Sequence, residues 1–180
     1  MKRISAAIAM VLFGGLASYE AKAQEPQSQD PIQTIRQQYA AINRGAAKYK
    51  KVKKELLGFS AEAGELIAYL RGPSIVKISA TFYGEMGRAT DEFYYSNDKL
   101  IFIFRKHLHY KRPLTGKVVR TTENRYYFKD DKLIRWIDEE SKQVLTTAPE
   151  FGQAEARLLA NSKQFTEGAL SKSPTIEDVP

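Results

Sequence analysis

The chain has 180 residues, with 28 Lys and Arg against 21 Asp and Glu for a formal charge of +7, and it carries 10 Tyr, 9 Phe, 2 His and no Cys. The lack of cysteine excludes disulfides, thiolate metal sites and thiol nucleophiles, so stability must come from burial and hydrogen bonding. The basic balance favours anionic neighbours at long range.

Residues 1–23 read as a secretory signal. Lys2 and Arg3 give a positive start, Ile4 to Ala17 is an apolar run, and Ala21-Lys22-Ala23 offers small residues for cleavage. The run is shorter than the roughly 20 residues that span a bilayer, and no later segment is apolar enough to cross one. No Cys follows it, so a lipid anchor at the cleavage point is not expected. The expected location is therefore the periplasm or the medium. Cleavage after Ala23 leaves about 157 residues of charge about +5, the size of one domain. Export makes nucleic acid a poor partner; an anionic envelope component or another protein fits better.

Residues 24–30 are polar and read as a flexible lead-in. Asp30-Pro31 then predicts a helix start, an acidic cap followed by a residue tolerated at the first helical position. Ile32, Ile35, Tyr39, Ile42, Ala46 and Tyr49 recur at helical spacing. The stripe predicts an amphipathic helix running to about Leu57 and stopping at Gly58. The basic cluster Lys48 to Lys54 then falls at its carboxyl end, where cations complement the helix dipole.

From Gly64 the pattern becomes that of strands. Leu66–Leu70 and Ile75–Tyr83 are separated by a Gly72-Pro73 turn, and Gly84 to Gly87 forms another. Two related hairpins follow, Asp91 to Ile101 and Asn124 to Ile134. Each has three aromatics, a polar residue, a two-residue Asn/Asp turn and Lys-Leu-Ile. Asn and Asp tolerate the left-handed backbone that such turns require. A regular register sets Tyr95 against Leu100, Tyr94 against Ile101, Phe128 against Leu133, Tyr127 against Ile134 and Arg125 against Trp136, the last a possible cation–π pair. Leu100 to Phe104 is apolar on both faces, so both must be covered. The first helix supplies one cover; the last helix, a partner subunit or a ligand supplies the other. Pro149 to Phe165 predicts a second helix, and residues 166–180 a flexible tail.

The segments Tyr94-Tyr95-Ser96-Asn97-Asp98-Lys99-Leu100 and Tyr127-Phe128-Lys129-Asp130-Asp131-Lys132-Leu133 resemble the aromatic-turn-Leu hairpins of MORN-like β-meander proteins. They lack that family's usual turn glycine and a third repeat. The chain is also similar to exported bacterial proteins of helix–meander–helix order. The resemblance implies an antiparallel meander and nothing catalytic. The expected fold is thus α+β: an N-terminal amphipathic helix, about six antiparallel strands in a meander and a C-terminal helix, in one domain over residues 31–165.

Chemistry is harder to find. There is no Gly-x-Ser-x-Gly elbow, phosphate loop or dinucleotide fingerprint. Ser74-x-x-Lys77 and Ser96-x-x-Lys99 lie in strand and hairpin-tip contexts, not on a helix. The carboxylates of Asp91-Glu92, Asp130-Asp131 and Asp138-Glu139-Glu140 fall at strand ends or turns. The candidate ligand-binding residues are Arg105, His107, His109 and Lys111, which form one polar ladder if their strand is regular. They either hold phosphates or carboxylates through charge-assisted hydrogen bonds or protect a sheet edge with positive charge. A metal on His107 and His109 is set behind these readings, because Arg105, Lys106, Lys111 and Arg112 crowd the pair. No catalytic residue, metal or cofactor is assigned. The leading expectation is a noncatalytic binding or interaction protein of the envelope for an anionic or amphipathic ligand. A hydrolase using carboxylates or a His, and a homodimeric structural or assembly factor, are the alternatives.

Overall fold

The computed structural model describes residues 30–178. The expected signal at residues 1–23 and nearly all of the expected lead-in at 24–30 lie outside them. Helix α1 spans Pro31–Gly45 and a 3-10 turn Ala46–Lys48. Seven strands follow in sequence order: β1 Lys50–Leu57, β2 Gly64–Arg71, β3 Ser74–Gly84, β4 Gly87–Ser96, β5 Lys99–Tyr110, β6 Val118–Lys129 and β7 Lys132–Ile137. Helix α2 covers Pro149–Leu170, and β8 covers Thr175–Glu177. The sheet order is β7-β6-β5-β4-β3-β2-β1-β8, antiparallel throughout except that β8 runs parallel to β1. The protein is therefore α+β, with two helices and an eight-stranded sheet rather than about six strands.

Asp30 caps α1 as its sequence suggests, accepting the Ile32 amide at 3.0 Å. The helix does not reach Leu57. It ends at Gly45, and Lys50–Leu57 pairs with β2 in antiparallel register. The local helix preference of this Lys- and Leu-rich stretch loses to the alternation of Val52, Lys54 and Leu56, which turn to the inner face. The lysine cluster is thus mostly strand, and the helix-dipole account of it does not apply.

Each sheet face carries its own core. On one face Ile32, Ile35 and Ile42 of α1 pack on Val76, Tyr94, Ile101, Phe102 and Tyr127. On the other, Phe151, Ala154, Leu158, Phe165 and Ala169 of α2 pack on Leu66, Ile78, Phe93, Ile103 and Tyr126. The two-sided apolar run Leu100 to Phe104 lies between these layers, so the second cover is α2. Tyr95 and Ser162 share a buried hydroxyl hydrogen bond of 3.0 Å, and Glu155 accepts the Leu133 amide at 2.7 Å on edge strand β7.

The tail expected from residue 166 is structured. Helix α2 continues to Leu170, and Ile176 of β8 is buried in the α2-side core. Gly168 permits this, because a Cβ there would sit 2.6 Å from two Ile176 carbons. The Lys54 ammonium secures the segment by donating to the Ser171 carbonyl at 2.8 Å and to the Ser173 carbonyl.

Both two-residue turns form as read. Asn97 and Asp98 have φ of 51° and 58°, and Asp130 and Asp131 have 50° and 59°. The pairs nearest each turn are also as expected, Tyr95 with Leu100 and Phe128 with Leu133. Beyond them each hairpin carries a bulge at the same place. Tyr94 faces Phe102 instead of Ile101, and Tyr127 faces Arg135 instead of Ile134. One residue is left over on each return strand, which puts both Ile101 and Phe102 on the α1 side. The second bulge sets Tyr126, not Arg125, opposite Trp136. The Trp136 ring lies 5.2 Å from the Tyr126 ring, and its Nε1 donates to Asn124 at 3.0 Å. The Arg125–Trp136 contact is not made.

Candidate functional site: an aromatic cleft beneath the first helix

The polar ladder divides into three parts. Arg105, His107 and His109 project to the α2 side of β5, while Lys111 lies past the strand in the loop before β6. Strand β5 is paired on both sides, by β4 and β6, so edge protection is not its role. Arg105 grips Asp91 through two bonds, Nε to Oδ1 at 2.7 Å and Nη2 to Oδ2 at 2.5 Å. The Asp91 side chain is only 2% exposed. This is a structural pair with its fork already filled, and the Asp91 carboxylate holds the guanidinium in its charged form against the cost of burial. His107 and His109 lie side by side with ring centroids 4.1 Å apart. Burial first, then His109 and Arg105, lower the pKa of His107 and favour its neutral form. Lys111 shares its loop with Arg112, Thr115 and Lys117. The four residues therefore do not converge on one ligand.

A different set converges on the α1 side. Ile35, Arg36 and Tyr39 of α1 meet Phe102 and Phe104 of β5 and Arg125 and Tyr127 of β6 around a cleft of about 170 Å³. The bulge at Tyr94/Tyr95 helps build it by turning Phe102 towards the helix. Tyr39 packs edge-on against Phe102 at 5.3 Å and against Tyr94 at 4.8 Å. The Arg125 guanidinium sits 5.4 Å from the Phe104 ring centre and also pairs with Glu123 at 2.6 Å. Arg36 is exposed and has no carboxylate within 4.0 Å among the described residues. The result is an apolar, aromatic interior with two guanidinium groups at its mouth.

Next to the cleft lies a closed polar network. The Lys77 ammonium donates to Glu92 Oε1 at 2.6 Å and to Asn43 Oδ1 at 3.2 Å. The Tyr94 hydroxyl donates to Glu92 Oε2 at 2.6 Å and receives the Asn43 amide at 3.1 Å. Lys77 also lies 5.0 Å from the Tyr94 ring centre and 5.7 Å from that of Tyr69. Every member has a partner, so the network ties α1 to the sheet rather than offering a free acid or base. Its Tyr94 ring backs Tyr39, which lines the cleft.

Burial raises the pKa of Tyr39, Tyr94, Tyr95 and Tyr126, and Glu92 adds to the effect at Tyr39 and Tyr94. Above about pH 10 the unfolded chain releases phenolic protons that the folded chain retains, so stability should fall as pH rises through that value. The limiting slope is about 1.4 kcal/mol per pH unit for each retained proton. Urea unfolding from about pH 9 to about pH 11 should show this loss. Tyr95→Phe should flatten the slope by about one proton; an unchanged slope would contradict the burial of that hydroxyl.

Tyr39 carries no sequence mark beyond the helical stripe, Arg36 carries none, and Arg125 enters the cleft only through the bulged register. No protein family matches this chain, and no curated protein or solved structure is detectably similar to it.

Proposed function

We propose that the chain is an exported, noncatalytic binding protein that holds an amphipathic, anionic small molecule in the cleft beneath α1. The observation that carries this reading is the pairing of an aromatic interior with Arg36 and Arg125 at the mouth. A cavity of about 150 Å³ accepts a benzene-sized group, so the cleft suits one ring or a short branched chain. Its anionic end then lies at the guanidinium forks, which match phosphate or carboxylate geometry. The remainder of a larger ligand would stay outside. The hydrolase alternative has less support: the depression containing His107 and His109 is lined by Phe82, Tyr83, Met86, Ala89 and two glycines, with no acid among the lining residues, and the Glu139 carboxylate that acts on His107 from outside it is paired with Arg120 at 3.3 Å. A homodimer through the second sheet face would have to displace α2.

Calorimetric titration with phenyl phosphate tests the reading. A probe of this size should bind with Kd on the order of 1 mM. Arg36→Ala and Arg125→Ala should each weaken it by about fivefold, the worth of roughly 1 kcal/mol. Benzyl alcohol, which lacks the anion, should bind the three proteins alike. Equal phenyl phosphate affinity in all three would overturn the assignment.

A further inference from the structure

One buried side-chain polar atom among the described residues has no hydrogen-bond partner, His109 Nε2. Buried polar atoms are nearly always partnered, and an orphan at a surface depression points to a water or an ion that belongs there. The orphan lies in a shallow depression lined by His107, His109 and Met86, with Gly84 and Gly87 as part of its floor.

We propose that His107, His109 and Met86 bind a single Cu(I) ion. The two histidines stand two apart on one face of β5, side by side at 4.1 Å with an interplanar angle of 34°. Imidazoles that share one strand face can each turn about the side-chain torsions to present one nitrogen to a single ion with bonds of about 2 Å. Strand β4 passes close beside them at a glycine. Gly87 is the partner of His109, and a Cβ there would sit 3.0 Å from His107 Nε2. Met86 is on the turn before β4 and is 52% exposed, and its unbranched side chain can swing inward.

The donor set selects the ion. No three side chains of His, Cys, Asp or Glu converge among the described residues. A closed zinc site and an oxygen-ligated calcium or magnesium site are therefore not available here. Two imidazoles and a thioether suit Cu(I), which accepts soft sulfur and low coordination. The positive neighbours that count against a cation in the sequence are paired elsewhere or lie past the strand. Arg105 is neutralised by Asp91, Lys106 projects to the opposite face and pairs with Glu123 at 3.9 Å, and Lys111 and Arg112 lie beyond the strand. The site is on the α2 side of the sheet and does not depend on the cleft beneath α1.

The test is an anaerobic titration of the purified protein with Cu(I) against the coloured chelator bicinchoninate. The protein should withdraw one equivalent. His107→Gln and His109→Gln should each weaken binding at least about tenfold. Met86→Leu should weaken Cu(I) while leaving Cu(II) affinity, which the imidazoles supply, unchanged. In protein labelled at the methionine methyl groups, the signal that Met86→Leu removes should shift on Cu(I) addition, and this readout needs no folded His variant. No withdrawal of Cu(I), or the same withdrawal by the doubly His-substituted protein, would overturn the site. An unmoved Met86 methyl would overturn the Cu(I) assignment.

Discussion

Phe165→Ala is expected to cost about 3–5 kcal/mol of folding stability, the range for emptying a large aromatic site in a packed core. Phe165 is 0% exposed and stands where α2 crosses the sheet. Its ring meets Phe93 edge-on at 5.5 Å and lies 5.3 Å from Phe59 and 6.4 Å from Phe82. Aromatic pairs of this kind contribute about 0.5–1.5 kcal/mol beyond the area they bury. The substitution therefore removes both the central knob of α2 and the contacts that hold Phe59, in the link from β1 to β2. Urea unfolding at neutral pH should show a lower midpoint at unchanged slope. A loss below about 0.5 kcal/mol, the ordinary range of a surface change, would mean that α2 does not rest on the sheet through this residue.

Arg105→Met is expected to destabilise by a similar amount, about 3–5 kcal/mol, because it leaves the Asp91 carboxylate buried and unpaired. Asp91→Leu combined with Arg105→Met should recover most of that loss, since an apolar pair of similar volume fills the space without a stranded charge. The same proteins separate structure from function. Arg105 lies on the α2 side, away from the cleft, so the double variant should bind phenyl phosphate as the parent does. Loss of binding in a stable double variant would return Arg105 to the ligand site.

Much of the architecture can be read along the chain. The cap at Asp30, the stripe of Ile32, Ile35, Tyr39 and Ile42, and the turns at Asn97-Asp98 and Asp130-Asp131 are local signals, and each works locally. Lys50 to Leu57 is different. Its lysines and leucines suit a helix, and the strands on either side of it, β2 and β8, together with the alternation of Val52, Lys54 and Leu56, decide the outcome. The end of the chain deceives for a related reason. Ile176 is a lone apolar residue in a polar stretch, and its burial depends on the space left by Gly168 on the preceding helix.

The site was less legible than the fold, and the two bulges are the reason. A regular hairpin sets Asp91 opposite Phe104 and sends it to a different face from Arg105. The extra residue Ile101 shifts the pairing by one and brings Asp91 against Arg105. The ladder candidate thereby becomes a closed ion pair, and Phe102 turns towards α1 to line the cleft. The second bulge moves Arg125 away from Trp136 and leaves its guanidinium over Phe104. One-residue shifts change which face a side chain occupies, and nothing in the aromatic-turn-Leu pattern announces them. The contribution of Met86 beside the histidines is likewise a matter of strands β4 and β5 lying together, about twenty residues apart in sequence.

Amide chemical-shift mapping with phenyl phosphate tests the cleft and its two guanidinium groups directly. Saturable shifts should gather at Ile35, Arg36, Tyr39, Phe104 and Arg125, with the Lys111 to Lys117 loop and the His107–His109 strand unmoved. Shifts confined to that basic loop, or spread evenly over the cationic surface, would contradict the cleft as the binding site.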